Sequence, residues 1–412
     1  MVHQQSQDQG LRRRRVFYIP GYDPFPPRRY RELYRRESAQ QAAISGYEIS
    51  QKASGSAGKY GWQVSSTQDG QQVEAVIEVL LWSDIVRASM GRSIAATYLQ
   101  LVQTAWRYIG SAALFRLMRL RLGPVIAALY PVVALLTQLL LGLLAATAVY
   151  GATFWAGEAL GLGRHPLALL ALLPAGAVLG VILRWFRAHD NRFYAYYLLH
   201  DYAFTARWNG AYPATLDSRI QQFADRIAHA LHEDWDEVLV IGHSSGAHVA
   251  ISVLAELDRR APASDTPLAL LTLGHVVPMV SFLPKAERLR GDLHRLAASH
   301  RVTWVDVTAM GDGCCFALCD PAGVSGVAPA RQTGPLIFSA AFRQSLSEAR
   351  WKAERRRFFR LHFQYLCAFD RVQDYDYFRI TAGPLTLAQR YATRAPSPSR
   401  LATPVNRFRS MS

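Results

Sequence analysis

Residues 122–157 run for 36 positions without a charged side chain, and a second uncharged run covers residues 165–183. A bilayer core takes about 20 helical residues, so the first run is long enough to span it with a tilt or a kink at Pro131, and the second is just sufficient. Soluble helices rarely stay uncharged for so long, and a hairpin buried inside a soluble protein is the alternative. The expectation is two transmembrane helices, about 122–157 and 165–186, joined by a short turn. Arg116, Arg119 and Arg121 precede the first helix, Arg184, Arg187 and Arg192 follow the second, and only Arg164 lies in the turn. Because positive charge is retained on the cytoplasmic side, both outer ends are expected there. This predicts an integral protein of a bacterial inner (cytoplasmic) membrane whose remaining parts face the cytoplasm.

The excess of positive charge continues upstream. No acidic residue occurs between Asp84 and Glu158, whereas Arg87, Arg92 and Arg107 join the arginines already named. From 94 to 120 apolar residues are dense with arginines among them, the pattern of a helix lying on a membrane surface. The formal charge of +15 is therefore assigned to an anionic lipid bilayer. Nucleic acid is rejected as a partner, since there is no basic stripe interleaved with exposed aromatics. Residues 1–15 and 393–412 read as disordered basic ends, and no apolar run follows the first arginines as a signal peptide would require. That leaves 16–90 and 191–392 as two parts of one domain, interrupted by the membrane segment 91–190.

Within the second part, Val238, Leu239, Val240 and Ile241 form a β-favouring apolar run that leads into Gly242-His243-Ser244-Ser245-Gly246, a G-x-S-x-G turn. Gly246, Ala247, Val249, Ala250, Val253 and Leu254 then recur at helical spacing. A serine on so sharp a strand-to-helix turn is held strained, with its hydroxyl out at the sheet edge. Ser244 is therefore the candidate nucleophile; a structural turn is the alternative. Further strands are expected at 16–19, 61–66, 73–82, 268–273 and 302–307, and helices at 28–43, 218–232 and 247–257. Strand and helix alternate on both sides of the hairpin, which predicts an α/β fold with a mostly parallel sheet covered by helices.

With the elbow in place, the chain resembles the α/β-hydrolase superfamily of lipase- and esterase-like serine hydrolases over residues 16–90 and 190–370. The resemblance implies a triad in chain order Ser, acid, His, with the acid in a loop after a late strand. Ser244 matches the nucleophile, and His362 is the one histidine downstream of the strand 302–307. Asp312, in the glycine turn Gly311-Asp312-Gly313, is favoured as the acid over Asp306 inside the strand, and Asp320 ranks third. Asp312-Gly313-Cys314-Cys315 also looks like the acid loop of fungal-type lipases, from which the cysteines depart. The backbone N–H groups of Tyr22, after the strand at 16–19, and of Ser245 would form an oxyanion hole. An ordinary Pro-Gly turn is the other reading at Tyr22. The insertion at 91–190 also departs from the superfamily, in which lids enter after the nucleophile helix.

His243 and His248 read as packing or pocket-wall residues, His275 as a pocket residue, and His200, His229 and His232 as surface or satisfied positions. Cys314, Cys315 and Cys319 lack paired histidines at ligand spacing and read as small buried residues, so neither a metal nor another cofactor is expected. The leading expectation is a membrane-anchored serine hydrolase acting on an ester or thioester, with a lipid favoured. A catalytically silent scaffold or partner-binding module is second. A small transporter is poorer, because two helices without a charged or broken intramembrane motif make a thin pathway.

Overall fold

The computed structural model describes residues 11–53, 60–91 and 93–412. Residues 1–10 of the expected disordered N-terminus, and Arg92, lie outside the described residues. Eight strands form one sheet: β1 (Arg13–Ile19), β2 (Glu48–Ala53), β3 (Gly61–Gln68), β4 (Gln71–Val79), β5 (Glu237–His243), β6 (Leu268–Leu273), β7 (Val302–Thr308) and β8 (Leu336–Ser339), in the order β2-β3-β4-β1-β5-β6-β7-β8. Five of the seven pairings are parallel, and only β2-β3 and β3-β4 are antiparallel. The longer helices are α1 (Arg28–Ser45), α2 (Ile94–Gly110), α3 (Leu122–Ala159), α4 (Arg164–Ala188), α5 (Ala195–Ala206), α6 (Ala214–Leu231), α7 (Gly246–Arg260) and α8 (Glu287–Ala298).

Helices on both faces explain why β5 is apolar without alternation. Val238 and Val240 face a core shared with α6, α7 and α8, while Leu239 and Ile241 face a second core with Tyr34 of α1 and the aromatic segment around Tyr365. From β1 the chain jumps to β2 at the sheet edge, steps back through β3 and β4 to lie beside β1, and then crosses to β5 on the other side of β1. That reversal leaves a crevice at the carboxyl ends of β1 and β5, where open parallel sheets bind ligands.

Both basic ends differ from expectation. β1 begins at Arg13, because the arginines there have partners: buried Arg14 bonds Glu237 at 2.7 Å and the carbonyl of Gly383 at 2.9 Å, and Asp236 accepts the N–H groups of Arg12 and Arg13 at 2.7 Å each. The tail is likewise ordered against the body. Ser397 N–H donates to Ile337 O at 2.8 Å, Leu401 N–H to Leu318 O at 2.7 Å, and the buried amide of Asn406 to Ser281 O at 2.9 Å. A charge or proline count cannot anticipate such pairings, because the acceptors lie far away in the chain. Four of these elements also escaped sequence reading: β2, α5, β8 and α8.

α3 and α4 are long and apolar enough to cross a membrane. They pack as an antiparallel pair: Gly157 lies against Leu167, and Gly142 against Leu179 and Leu183. This register brings α4 to its end near position 136 of α3, so residues 122–135 continue past the partner helix and onto the α/β body. There Arg121 Nε donates to Ala317 O at 2.7 Å and Tyr130 hydroxyl to Phe193 O at 2.7 Å. The expected surface helix over 94–120 divides into α2 and a short helix Ala113–Leu117, with a left-handed residue, Ala112 at φ 58°, at the break.

Candidate active site

β5 delivers its C-terminus to the crevice. Ser244 follows with φ 58°, a left-handed conformation uncommon for a residue with a side chain, and α7 starts two residues later. The elbow packs directly on the β1 loop: a Cβ on Gly246 would lie 2.3 Å from Ile19 O and 2.5 Å from Pro20 O, which restricts this position to glycine. From Glu237 to Ala255 every residue is buried except Ser244, which is partly exposed. A chain turn serving packing alone has no need to single out one hydroxyl in this way.

Ser244 opens into a cavity of about 780 Å³ whose walls include Tyr22, His243, Cys314 and His362. His362 ends the short helix Phe358–His362, and its Nδ1 lies 2.8 Å from Asp312 Oδ2. The carboxylate has further donors: Tyr365 hydroxyl at 3.0 Å and Cys314 N–H at 2.9 Å. Burial pushes the Asp312 carboxyl up, but the facing imidazole and these hydrogen bonds outweigh burial and hold it below the usual carboxylate value. Gly274, at φ 53°, makes room for the pair, since a Cβ there would come within 2.6 Å of the Tyr365 ring and 3.3 Å of Asp312 Oδ2. Among the described residues no hydrogen bond joins the Ser244 hydroxyl to His362.

The structure thus brings Ser244, Asp312 and His362 to one crevice and directs the rival acids elsewhere. Asp306 is buried at the end of β7, accepts the Thr272 hydroxyl at 2.6 Å and faces His275 Nε2 at 3.6 Å. Burial, countered by His275 and Thr272, lifts it to about 6. Asp320 caps the short helix Pro321–Val324 through the N–H groups of Ala322 and Gly323, both at 3.0 Å. The oxyanion expectation meets a complication at Tyr22, whose N–H donates to Ser245 Oγ at 2.8 Å. His243 is buried, and its Nε2 donates to His362 O at 2.8 Å. Burial first, and then the neighbouring His362, lower it to about 3, so it stays neutral and positions the backbone of its neighbour. Burial brings His248 likewise to about 3, with Nδ1 3.0 Å from Tyr212 hydroxyl.

Asp312, Cys314 and His362 offer donor atoms within 4.8 Å of one another. In His362, however, Nδ1 is already taken by Asp312, and burial together with that carboxylate raises the Cys314 thiol well above its ordinary value, which disfavours the thiolate a metal would need. The set fits a hydrogen-bonded acid-base pair better than a metal cage. Sequence reasoning missed Asp201 on α5, which lines the same cavity, is lifted by burial against His362 to about 7, and has no hydrogen-bond partner among the described residues. Its one sequence signal is that it is the lone acid in the aromatic stretch 193–208.

No protein-family model matches this chain, and no curated protein or solved structure matches it either.

Proposed function

We propose that the chain is a membrane-anchored serine hydrolase of α/β-hydrolase type that cleaves an ester or thioester through an acyl-enzyme. One observation carries the reading: Ser244, the one residue from Glu237 to Ala255 that is not buried, shares its cavity with an imidazole whose Nδ1 is bonded to a carboxylate. A serine hydroxyl is a poor nucleophile at neutral pH. His362 Nε2 takes its proton as Oγ adds to the substrate carbonyl, and the same proton passes to the leaving alcohol or thiol as the carbonyl reforms on Ser244. Water, deprotonated by His362, then releases the acid and returns the proton to Oγ. Asp312 keeps the proton of the imidazole on Nδ1 and stabilises its charged form. The N–H of Ser245 and, once its present bond to the Ser245 hydroxyl yields, that of Tyr22 supply oxyanion donors, each worth roughly 3 kcal/mol of barrier in such sites.

The anchor in this reading is the α3-α4 pair, with the catalytic body on the cytoplasmic side of a bacterial inner membrane where the flanking arginines gather. Fluorophosphonate labelling tests the proposal. Wild type in membranes should label at Ser244, and Ser244→Ala should abolish labelling while retaining the fold. A second reading, a catalytically silent scaffold, draws support from the missing Ser244–His362 hydrogen bond, although such bonds are often long before substrate binds. Folded wild type that resists the probe decides for the scaffold.

A further inference from the structure

Resting on the hydrolase reading, we propose that the substrate is an ester of an anionic phospholipid, admitted sideways from the cytoplasmic leaflet between the first turns of α3 and the segment 355–359. The cavity at Ser244 is walled on one side by Ile126, Ala127 and Tyr130, residues of the same helix that forms the hairpin. At ~1.5 Å per residue, α3 is roughly 57 Å long, well beyond the ~30 Å of a hydrocarbon core. Its first turns therefore lie outside the paired, membrane-crossing part and bring the cavity wall to the bilayer boundary.

The outer face of α3 is continuous with that wall. Leu122, Ile126, Leu129, Val133, Leu136 and Leu140 are all exposed at helical spacing, so the apolar stripe runs from the hairpin past the end of α4 and down to the cavity. On α2, Leu99, Val102, Trp106 and Ile109 make a second exposed apolar stripe. A soluble monomer rarely leaves such contiguous apolar surface uncovered, and lipid is the partner that both stripes and the hairpin have in common.

The polar part of the opening selects the sign of the head group. Arg192, Arg356 and Arg357 line the cavity, are exposed, and have no ion-pair partner among the described residues. The other two arginines of the lining do have partners: Arg29 pairs with Asp23, and Arg360 lies 3.7 Å from Glu354. Three free guanidinium groups beside an apolar wall, with the exposed ring of Phe358 next to them, match a phosphate-bearing head on an acyl chain. The cavity volume, about 780 Å³, lies in the range of small-molecule sites, so the head and the ester region are what it would enclose. A soluble acyl thioester of a phosphorylated carrier has the same charge and chain, and the apolar stripe leading to the cavity favours the lipid source.

The test uses the full chain reconstituted in vesicles of non-hydrolysable diether phosphatidylcholine, with diacyl phosphatidylglycerol or diacyl phosphatidylcholine as a dilute guest. The matrix fixes the surface charge, so the ratio of the two cleavage rates reports recognition at the site. We expect phosphatidylglycerol to be cleaved at least about tenfold faster, and Arg356→Gln/Arg357→Gln to reduce that ratio by about tenfold, as loss of two exposed charge contacts implies. A ratio near one, or a preference that the double variant leaves intact, overturns the inference while Ser244 labelling keeps the hydrolase reading standing. Faster turnover of a fatty acyl thioester of coenzyme A than of either lipid overturns it as well, by assigning the arginines to a soluble source. Failure of Ser244 to label is a different result: it removes the hydrolase reading, and the substrate inference falls with it.

Discussion

The backbone N–H of Tyr22 donates to the hydroxyl of Ser245 at 2.8 Å, across the gap between the β1 loop and the nucleophile elbow. Both groups are buried, so the bond fastens the two loops that frame the crevice. In Ser245→Ala the N–H loses its acceptor, which should cost about 1–2 kcal/mol of stability. Turnover of an activated ester should remain within about tenfold of wild type, because on the proposed mechanism the freed N–H becomes available to the oxyanion. Unchanged melting with turnover down a hundredfold or more would instead make the hydroxyl itself the oxyanion donor.

The acid assignment gives a contrast between two variants. Asp312→Asn should retain the fold and lose up to ~10⁴ in turnover, because the amide favours the wrong imidazole tautomer. Asp306→Asn disturbs a buried contact with Thr272 and His275, and should lower the melting temperature with little change in turnover per folded molecule. Kinetics on an activated ester with parallel melting curves separates them; the reverse pattern would transfer the role to Asp306.

Asp201 predicts a pH dependence of stability. Its carboxyl is raised to about 7 in the folded chain and is ordinary in the unfolded one, so folding favours its protonated form. Stability from this group is complete below the ordinary Asp range and is lost as pH rises through about 7. Because the side chain faces a cavity able to hold water, we expect ~1 kcal/mol, or about 1 °C, between pH 5 and pH 8. Asp201→Asn should remove that part of the slope; an identical slope in the variant would assign it to Asp306, which shifts in the same direction.

Membrane topology is open to labelling with an impermeant thiol reagent. A single cysteine at Leu162, in the turn between α3 and α4, should react only from the side opposite the catalytic body. Reaction only from the catalytic side would mean that the hairpin does not cross.

The elbow, most of the strands around it and both apolar helices were legible in the sequence because each rests on a local pattern: an apolar run against glycine, or a long absence of charge. β6 matches its expected bounds for the same reason. Less legible were features made by distant partners. Arg13 and Arg14 read as solvated charge until Asp234, Asp236 and Glu237 are placed beside them, and residues 397–406 read as flexible until the carbonyls of Ile337 and Leu318 receive their N–H groups. Asp312 and His362 could be nominated by loop position and elimination, whereas Asp201 could not, since only the fold carries α5 across to the crevice.

The contact between α3 and the acid loop has a mechanical meaning. A Cβ on Gly123 would sit 2.9 Å from Gly313 O, and Arg121 is tied to Ala317, so the start of the helix is held against the segment that follows Asp312. Along the helix, Tyr130 on the cavity wall is six residues, ~9 Å, from the level where α4 ends. If the α3-α4 pair crosses the bilayer as proposed, that height corresponds to the glycerol linkages of a leaflet and not to bonds farther along an acyl tail.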